Sequence, residues 1–260
     1  MSARPTVHVL NDIRDWTAEA AALTLTFQRQ AVEQRGQFVI ALSGGRTPEQ
    51  VYRELVSRSS ATPQDWRSTQ FCFSDERCVP PDDAESNYRL ADEALFRALD
   101  IPQDRIHRMR GEHPDVSAAA REYENVLRAV TKSDQALWPQ LDLVMLGVGN
   151  DGHTASLFPG TDALQERRRW VAVGQAPSGP RTRLTLTLGV INQSTVILFL
   201  VSGESKADIV KAILEPQRDA DRHLPAALVR PERGRVIWVL DRAAAAKLTG
   251  PYGENHQRPT

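Results

Sequence analysis

Apolar residues along this chain fall into short unbroken runs of strand length, separated by longer stretches in which they recur at helical spacing. The run at 141–146, broken only by Asp142, ends at Gly147 and reads as a parallel strand buried on both faces. Runs of the same kind predict strands at 7–10, Phe38–Leu42, 71–73, Val196–Val201 and 236–240. Between them, Trp16, Ala20, Leu23, Phe27 and Ala31 share one helical face up to Gly36, and a further helix follows Pro48 to about Val56. Thr47 and Gln50 fit a capping box there, with Pro48 at the first helical position. Ala91, Ala94, Leu95 and Ala98 mark the buried face of another helix. A fourth carries Val116, Ala119, Ala120, Tyr123, Leu127 and Val130 inward, with Arg121, Glu122, Glu124 and Arg128 on a solvated face. Residues 183–188 alternate with period two, predicting a strand with one leucine face and one polar face that carries Arg183. A helix with Lys206, Ile209, Val210 and Ile213 comes next, an alanine-rich helix closes the series, and the tail from Gly250 is expected to fray.

Strands alternating with helices predict an α/β fold, a mostly parallel sheet with helices on both faces, in one domain over residues 1–260. Composition narrows the partners. The 32 Lys plus Arg balance 33 Asp plus Glu, so neither nucleic acid nor an anionic membrane is expected to bind, and any anion site must be local. No apolar run approaches the roughly 20 residues of a membrane-spanning helix, and residues 1–12 hold no signal-peptide core. Cys72 and Cys78 suggest neither a disulfide framework nor a zinc site, so a reducing, cytoplasmic setting is expected. None of His8, His107, His113, His223 and His256 has metal-ligand spacing with another, and no metal or cofactor is expected.

The chemistry gathers where strands end. In open α/β sheets ligands bind beyond the carboxyl ends of the strands. After 141–146 come Gly147, Gly149 and Gly152, which let the backbone turn sharply, together with Asp151 and His153. A neutral imidazole takes a proton from water near neutral pH, and a carboxylate, Asp151 or Asp75, would orient it. The other reading makes Asp151-Gly152 a turn and His153 a helix cap. Ser43-Gly44-Gly45-Arg46-Thr47-Pro48 is either a phosphate cradle at a helix N-terminus or simply a tight connection. Asp75-Glu76-Arg77 is a hydrated turn or, by its place after a strand, part of the same crevice. Lys206 is a surface lysine or, following a strand and Ser202-Gly203, a cation at that edge.

These segments together resemble 6-phosphogluconolactonases: ALSGGRTPEQVY, FSDERCVPPDDAESNYRLA, LGVGNDGHTASLFPG, the RLTLT strand, SGESKADIV and LPAALVRPERGRVIWVLDRAAA, in the family's order from about Gly36 to Leu248. The resemblance implies a Rossmann-like sheet shared with sugar-phosphate isomerases. It implies hydrolysis of 6-phosphogluconolactone to 6-phosphogluconate in the oxidative pentose phosphate pathway, with His153 as the base that activates water and Asp75 in support. By motif position, Ser43, Gly44, Gly45, Arg46, Arg77, Arg183 and Lys206 would line the phosphate or the adjoining pocket; Asn150 stands at a variable place. The glycine-rich backbone near Gly149 to Gly152 is a candidate source of N–H donors to the developing oxyanion, without the individual groups being readable from sequence. The partner implied is a small phosphorylated sugar lactone, with no obligate protein partner. Glucosamine-6-phosphate deaminases look similar around SGG, the Asp of the second motif and DGH but lack TASLFP. A catalytically silent sugar-phosphate sensor is the alternative outside enzymes.

Overall fold

The six predicted strands at 7–10, Phe38–Leu42, 71–73, 141–146, Val196–Val201 and 236–240 lie side by side in one parallel sheet. A computed structural model describes residues 4–61, 66–133 and 138–252; His256 and the tail from 253 lie outside them. In chain order the elements are β1 (Thr6–Leu10), α1 (Ile13–Arg35), β2 (Phe38–Leu42), α2 (Arg46–Ala61), β3 (Thr69–Phe73), β4 (Asp75–Arg77), α3 (Asn87–Ala91), α4 (Val116–Thr131), β5 (Leu143–Leu146), α5 (Asp162–Gln165), β6 (Val171–Gln175), β7 (Thr182–Leu186), α6 (Leu188–Gln193), β8 (Val196–Val201), α7 (Ala207–Leu214), β9 (Arg235–Asp241) and α8 (Arg242–Ala245). The large sheet has the order β1-β9-β8-β5-β2-β3, with every neighbouring pair parallel. Every residue of β2, β3, β5 and β8 is buried, so both faces of the sheet's middle are covered. Because all six strands run the same way, their carboxyl ends share one edge. The chain steps outward from β2 to β3 and then to the opposite side at β5, which leaves the crevice of a topological switch between β2 and β5.

Local chemistry explains the boundaries. Asp12 caps α1 by accepting from the amides of Arg14 and Asp15, and Gly36 ends it in a left-handed conformation, its amide bonded to Val32 O at 2.7 Å. Trp16 locks the helix to the sheet through its indole N–H, which donates to Val239 O at 2.8 Å. The predicted capping box is not formed. Helix α2 starts one residue before Thr47, at Arg46, with the Gly45 carbonyl accepting from Glu49 N, and Pro48 falls inside the first turn, where a missing N–H costs no helical bond. The predicted Ala98 face is also displaced: α3 continues as a π turn over Asp92–Phe96, which rotates Phe96 into the core and leaves Ala98 exposed.

A second sheet, antiparallel β4-β7-β6, contains the predicted strand at 183–188 as β7, while β4 and β6 have no counterpart in the sequence reading. Ser74 is the joint between the two sheets, its amide bonded to Leu42 O and its carbonyl to Leu186 N, each at 2.8 Å. The predicted polar face of β7 is buried: Arg183 and Thr185 stand opposite Arg77 and Asp75 of β4, and Thr185 Oγ1 accepts from Ser156 N in the loop after β5. Glu124 of α4 likewise leaves its expected solvated role. Its carboxylate accepts from Arg169 Nε (2.9 Å) and from the backbone amides of Trp170 (2.9 Å) and Val171 (3.2 Å), while Arg128 stacks over the Trp170 ring. At the other end Glu215 accepts from the amides of Thr249 and Gly250, so the chain is held as far as that turn. No helix among the described residues is long and apolar enough to cross a membrane.

Glu124 is the tie between α4 and β6, and Glu124→Ala strands two amides and a guanidinium. Urea unfolding should show a loss of about 1–3 kcal/mol; a stability equal to wild type would mean that water satisfies these groups instead.

Candidate active site

The strand ends deliver their polar groups to one cavity of about 260 Å³, whose lining includes Ser43, Gly44, Gly45 and Arg46 after β2, Asp75 and Arg77 of β4, Gly149 and His153 after β5, and Lys206 after β8. Two predicted site residues do not line it. Asp151 backs His153, and Arg183 is the direct cross-strand neighbour of Arg77.

His153 is held from three sides. Its Nδ1 lies 2.6 Å from Asp151 Oδ1, its backbone amide donates to the same oxygen at 3.1 Å, and its ring packs on Phe158 with centroids 4.4 Å apart. An ionised carboxylate can only accept, so Nδ1 carries the proton and Nε2 keeps its lone pair. Burial works to raise the Asp151 carboxyl, but the His153 amide, the charge of the imidazole and the ring hydrogen bond together hold it below the usual value. The turn requires glycine at 149 because a Cβ there would stand 2.0 Å from His153 Nδ1 and 2.6 Å from Asp151 Oδ1. The loop amides are largely committed to its own shape: Gly149 N donates to His153 O and Gly152 N to Gly149 O. That removes Gly149 and Gly152 from the candidate donors to the oxyanion. The opposite rim of the cavity is the start of α2, at Arg46, Thr47 and Pro48.

Asp75 makes its bonds away from His153. Its Oδ2 accepts from Ser156 Oγ at 2.6 Å, and its Oδ1 from Asn87 Nδ2 at 3.3 Å. The Asn87 amide in turn lies over Gly44, where a Cβ would meet Asn87 Oδ1 at 1.7 Å, so the glycine of the first turn admits a side chain of the second motif. Glu76, almost fully buried, organises this corner. Its two oxygens accept from the amides of Arg77, Asn87 and Tyr88 (2.7–2.8 Å) and from Ser86 Oγ (3.1 Å), fixing the N-terminus of α3 against β4. Burial pushes its carboxyl above the ordinary range, and the three backbone amides pull it part of the way back.

The cations surround the same space. Arg77 reaches Glu85 through its carbonyl and carboxylate. Its partner across the strands, Arg183, is 7% exposed, with Nε and Nη1 buried and unpartnered. Burial, then the neighbouring Arg77 charge, lowers the Arg183 pKa. Two guanidiniums opposed on adjacent strands repel, and the carboxylates of Asp75, Glu85 and Glu76 offset that repulsion in part. Lys206, in a short 3-10 turn before α7, is half-buried; burial lowers its pKa and the Asp151 charge opposes that.

A family model for glucosamine-6-phosphate isomerases/6-phosphogluconolactonase matches residues 11–238. The chain belongs to this family. Its members include a 6-phosphogluconolactonase of Homo sapiens, 42% identical over 242 residues that cover 91% of this chain and 92% of the relative, and one of a Nostoc species, 37% identical over 246 residues covering 95% and 99%. Among solved structures, 6-phosphogluconolactonase from Trypanosoma cruzi superposes with a TM-score of 0.84 at 30% identity, covering 96% and 99% of the two chains. A monomeric glucosamine-6-phosphate deaminase matches at 0.78 and 25%, covering 94% and 100%. The resemblance read from the motifs is therefore correct, and every predicted site residue from Ser43 to Lys206 lies inside the family match.

Glu76, Asn87, Ser156 and Phe158 were not among the predicted site residues, yet they hold Asp75, the N-terminus of α3 and His153 in place. Glu76 looked like one member of a charged triplet, and nothing in its spacing marks it as buried. Glu76→Gln would turn an amide donor toward amides that need an acceptor. It should lower the free energy of unfolding by about 1–3 kcal/mol, measured by chemical denaturation, whereas a change within about 0.5 kcal/mol would show the cage to be dispensable.

Proposed function

We propose that the chain hydrolyses 6-phospho-D-glucono-1,5-lactone to 6-phospho-D-gluconate, the second step of the oxidative pentose phosphate pathway. The single observation that carries the mechanism is the His153–Asp151 pair at the rim of a cation-lined cavity. Nε2 of His153 accepts a proton from water as the water oxygen attacks the lactone carbonyl carbon. The carbonyl oxygen gains negative charge, the tetrahedral centre collapses, the bond to the ring oxygen breaks, and the imidazolium returns its proton to that oxygen. Asp151 stabilises the charged ring and holds its tautomer. A lactone is an activated ester, so a positioned water and one base suffice without a covalent nucleophile.

Asp75, fixed by Ser156 and Asn87, is read as an acceptor for sugar hydroxyls rather than as the support of His153. The phosphate is assigned to the Ser43-Gly44-Gly45 turn with Arg46 and Lys206, with Arg77 and Arg183 adding positive potential beside it. The lactonase reading over the deaminase reading is supported by the TASLFP segment, each of whose polar or aromatic groups serves the site. Thr154 Oγ1 bonds Gly147 O at 2.9 Å, Ser156 holds Asp75, and Phe158 backs His153. The relatives at 37–42% identity named for the lactone point the same way. The setting is read as cytoplasmic and the partner as this small molecule alone.

His153→Ala should lower kcat on freshly generated lactone, after correction for spontaneous hydrolysis, by about 100- to 10,000-fold, while calorimetric binding of 6-phosphogluconate persists. Turnover at the wild-type rate would remove His153 from the base role, and ammonia release from glucosamine-6-phosphate would instead favour the deaminase.

A further inference from the structure

Lys206 and the loop carrying His153 are joined by a contact that the reaction as described does not use. Lys206 Nζ donates to Asn150 Oδ1 at 2.8 Å, and Asn150 lies one residue before the carboxylate that orients the imidazole. The lysine backbone is anchored from the other side. The Gly203 amide that opens its turn donates to both carboxylate oxygens of Asp241, at 3.0 and 3.1 Å, and Gly203 itself has φ of 95°. The long side chain is thereby held at its base by β9 and at its tip by the loop after β5.

The chemistry of the tip matters. An ammonium has three donors, and a neutral amide oxygen occupies one without cancelling the charge. A carboxylate at this place would form an ion pair and compete with an incoming anion. Unheld, a lysine side chain would lose on binding the rotamer freedom that the Asn150 contact has already removed. We propose that Asn150 is a positioning residue for the substrate's phosphate, holding the Lys206 ammonium over the cavity with its full charge. This rests on the reading of Lys206 as a phosphate contact.

The test is a double-mutant cycle with Asn150→Ala, Lys206→Ala and the double variant, following KM and kcat for 6-phosphogluconolactone. Asn150→Ala should raise KM about three- to tenfold, the worth of one hydrogen bond to a charged group's geometry, with kcat within about twofold of wild type. In the Lys206→Ala background the same substitution should change nothing further. An unchanged KM in Asn150→Ala overturns the proposal, and so does a lowered one, which would mean that the amide competes with phosphate. An equal rise with and without Lys206, or a fall in kcat, would show that Asn150 only shapes the loop, and would likewise overturn it. If Lys206→Ala itself leaves KM unchanged, the phosphate assignment fails first and the role of Asn150 fails with it; a raised KM in Lys206→Ala with no effect of Asn150→Ala refutes this proposal alone.

Discussion

The hydrogen bond between His153 Nδ1 and Asp151 is the constraint on which the rest of the site depends. It selects the tautomer that leaves the Nε2 lone pair free, and it needs Gly149 to have no side chain in the space the imidazole occupies. Phe158 closes the opposite face of the ring, so the imidazole has one orientation rather than a choice of rotamers. A ring held in this way loses little freedom when a ligand arrives, which is where positioned groups gain their advantage over the same groups in solution.

The sheet makes that constraint useful. Six parallel strands end at one edge, and the reversal between β2 and β5 opens a crevice there, so residues more than 160 positions apart, Ser43 and Lys206, line one cavity. The small antiparallel sheet serves as a wall. Ser74 hands the chain from β3 to β4, and Glu76, with four donors on its carboxylate, fixes the start of α3 so that Asn87 fits over Gly44 and braces Asp75. The result is a polar corner whose partners are chosen before a ligand binds, beside two arginines paired across adjacent strands.

The large sheet was legible because strands buried on both faces are nearly continuous in apolar residues, a rule that β2, β5 and β8 at its middle obey, whereas the edge strand β1 carries His8 and is only partly buried. The strand tips were legible because glycine clusters and charged residues interrupt those runs. Of the second sheet only β7 was legible, from its period-two alternation; Asp75-Glu76-Arg77 contains no apolar residue and becomes a strand only through cross-strand bonds to residues 183–185. The Ala98 face failed for a similar reason: a π turn changes the angular step, and no local signal announces it. Spacing alone left Asp75 and Asp151 as equal candidates for the imidazole; the tight turn at Gly149–Gly152 decides for Asp151, and Ser156 and Asn87 draw Asp75 away.

The tautomer of His153 is the point at which fold and chemistry meet. Long-range nitrogen–proton correlation spectroscopy of the histidine rings in the intact chain, with His153 assigned by its absence in a substituted variant and recorded where the ring is neutral, reads that tautomer directly. A protonated Nδ1 and a lone-pair-bearing Nε2 are the result expected from the Asp151 hydrogen bond. A ring protonated at Nε2 would leave no base facing the water and would contradict the account.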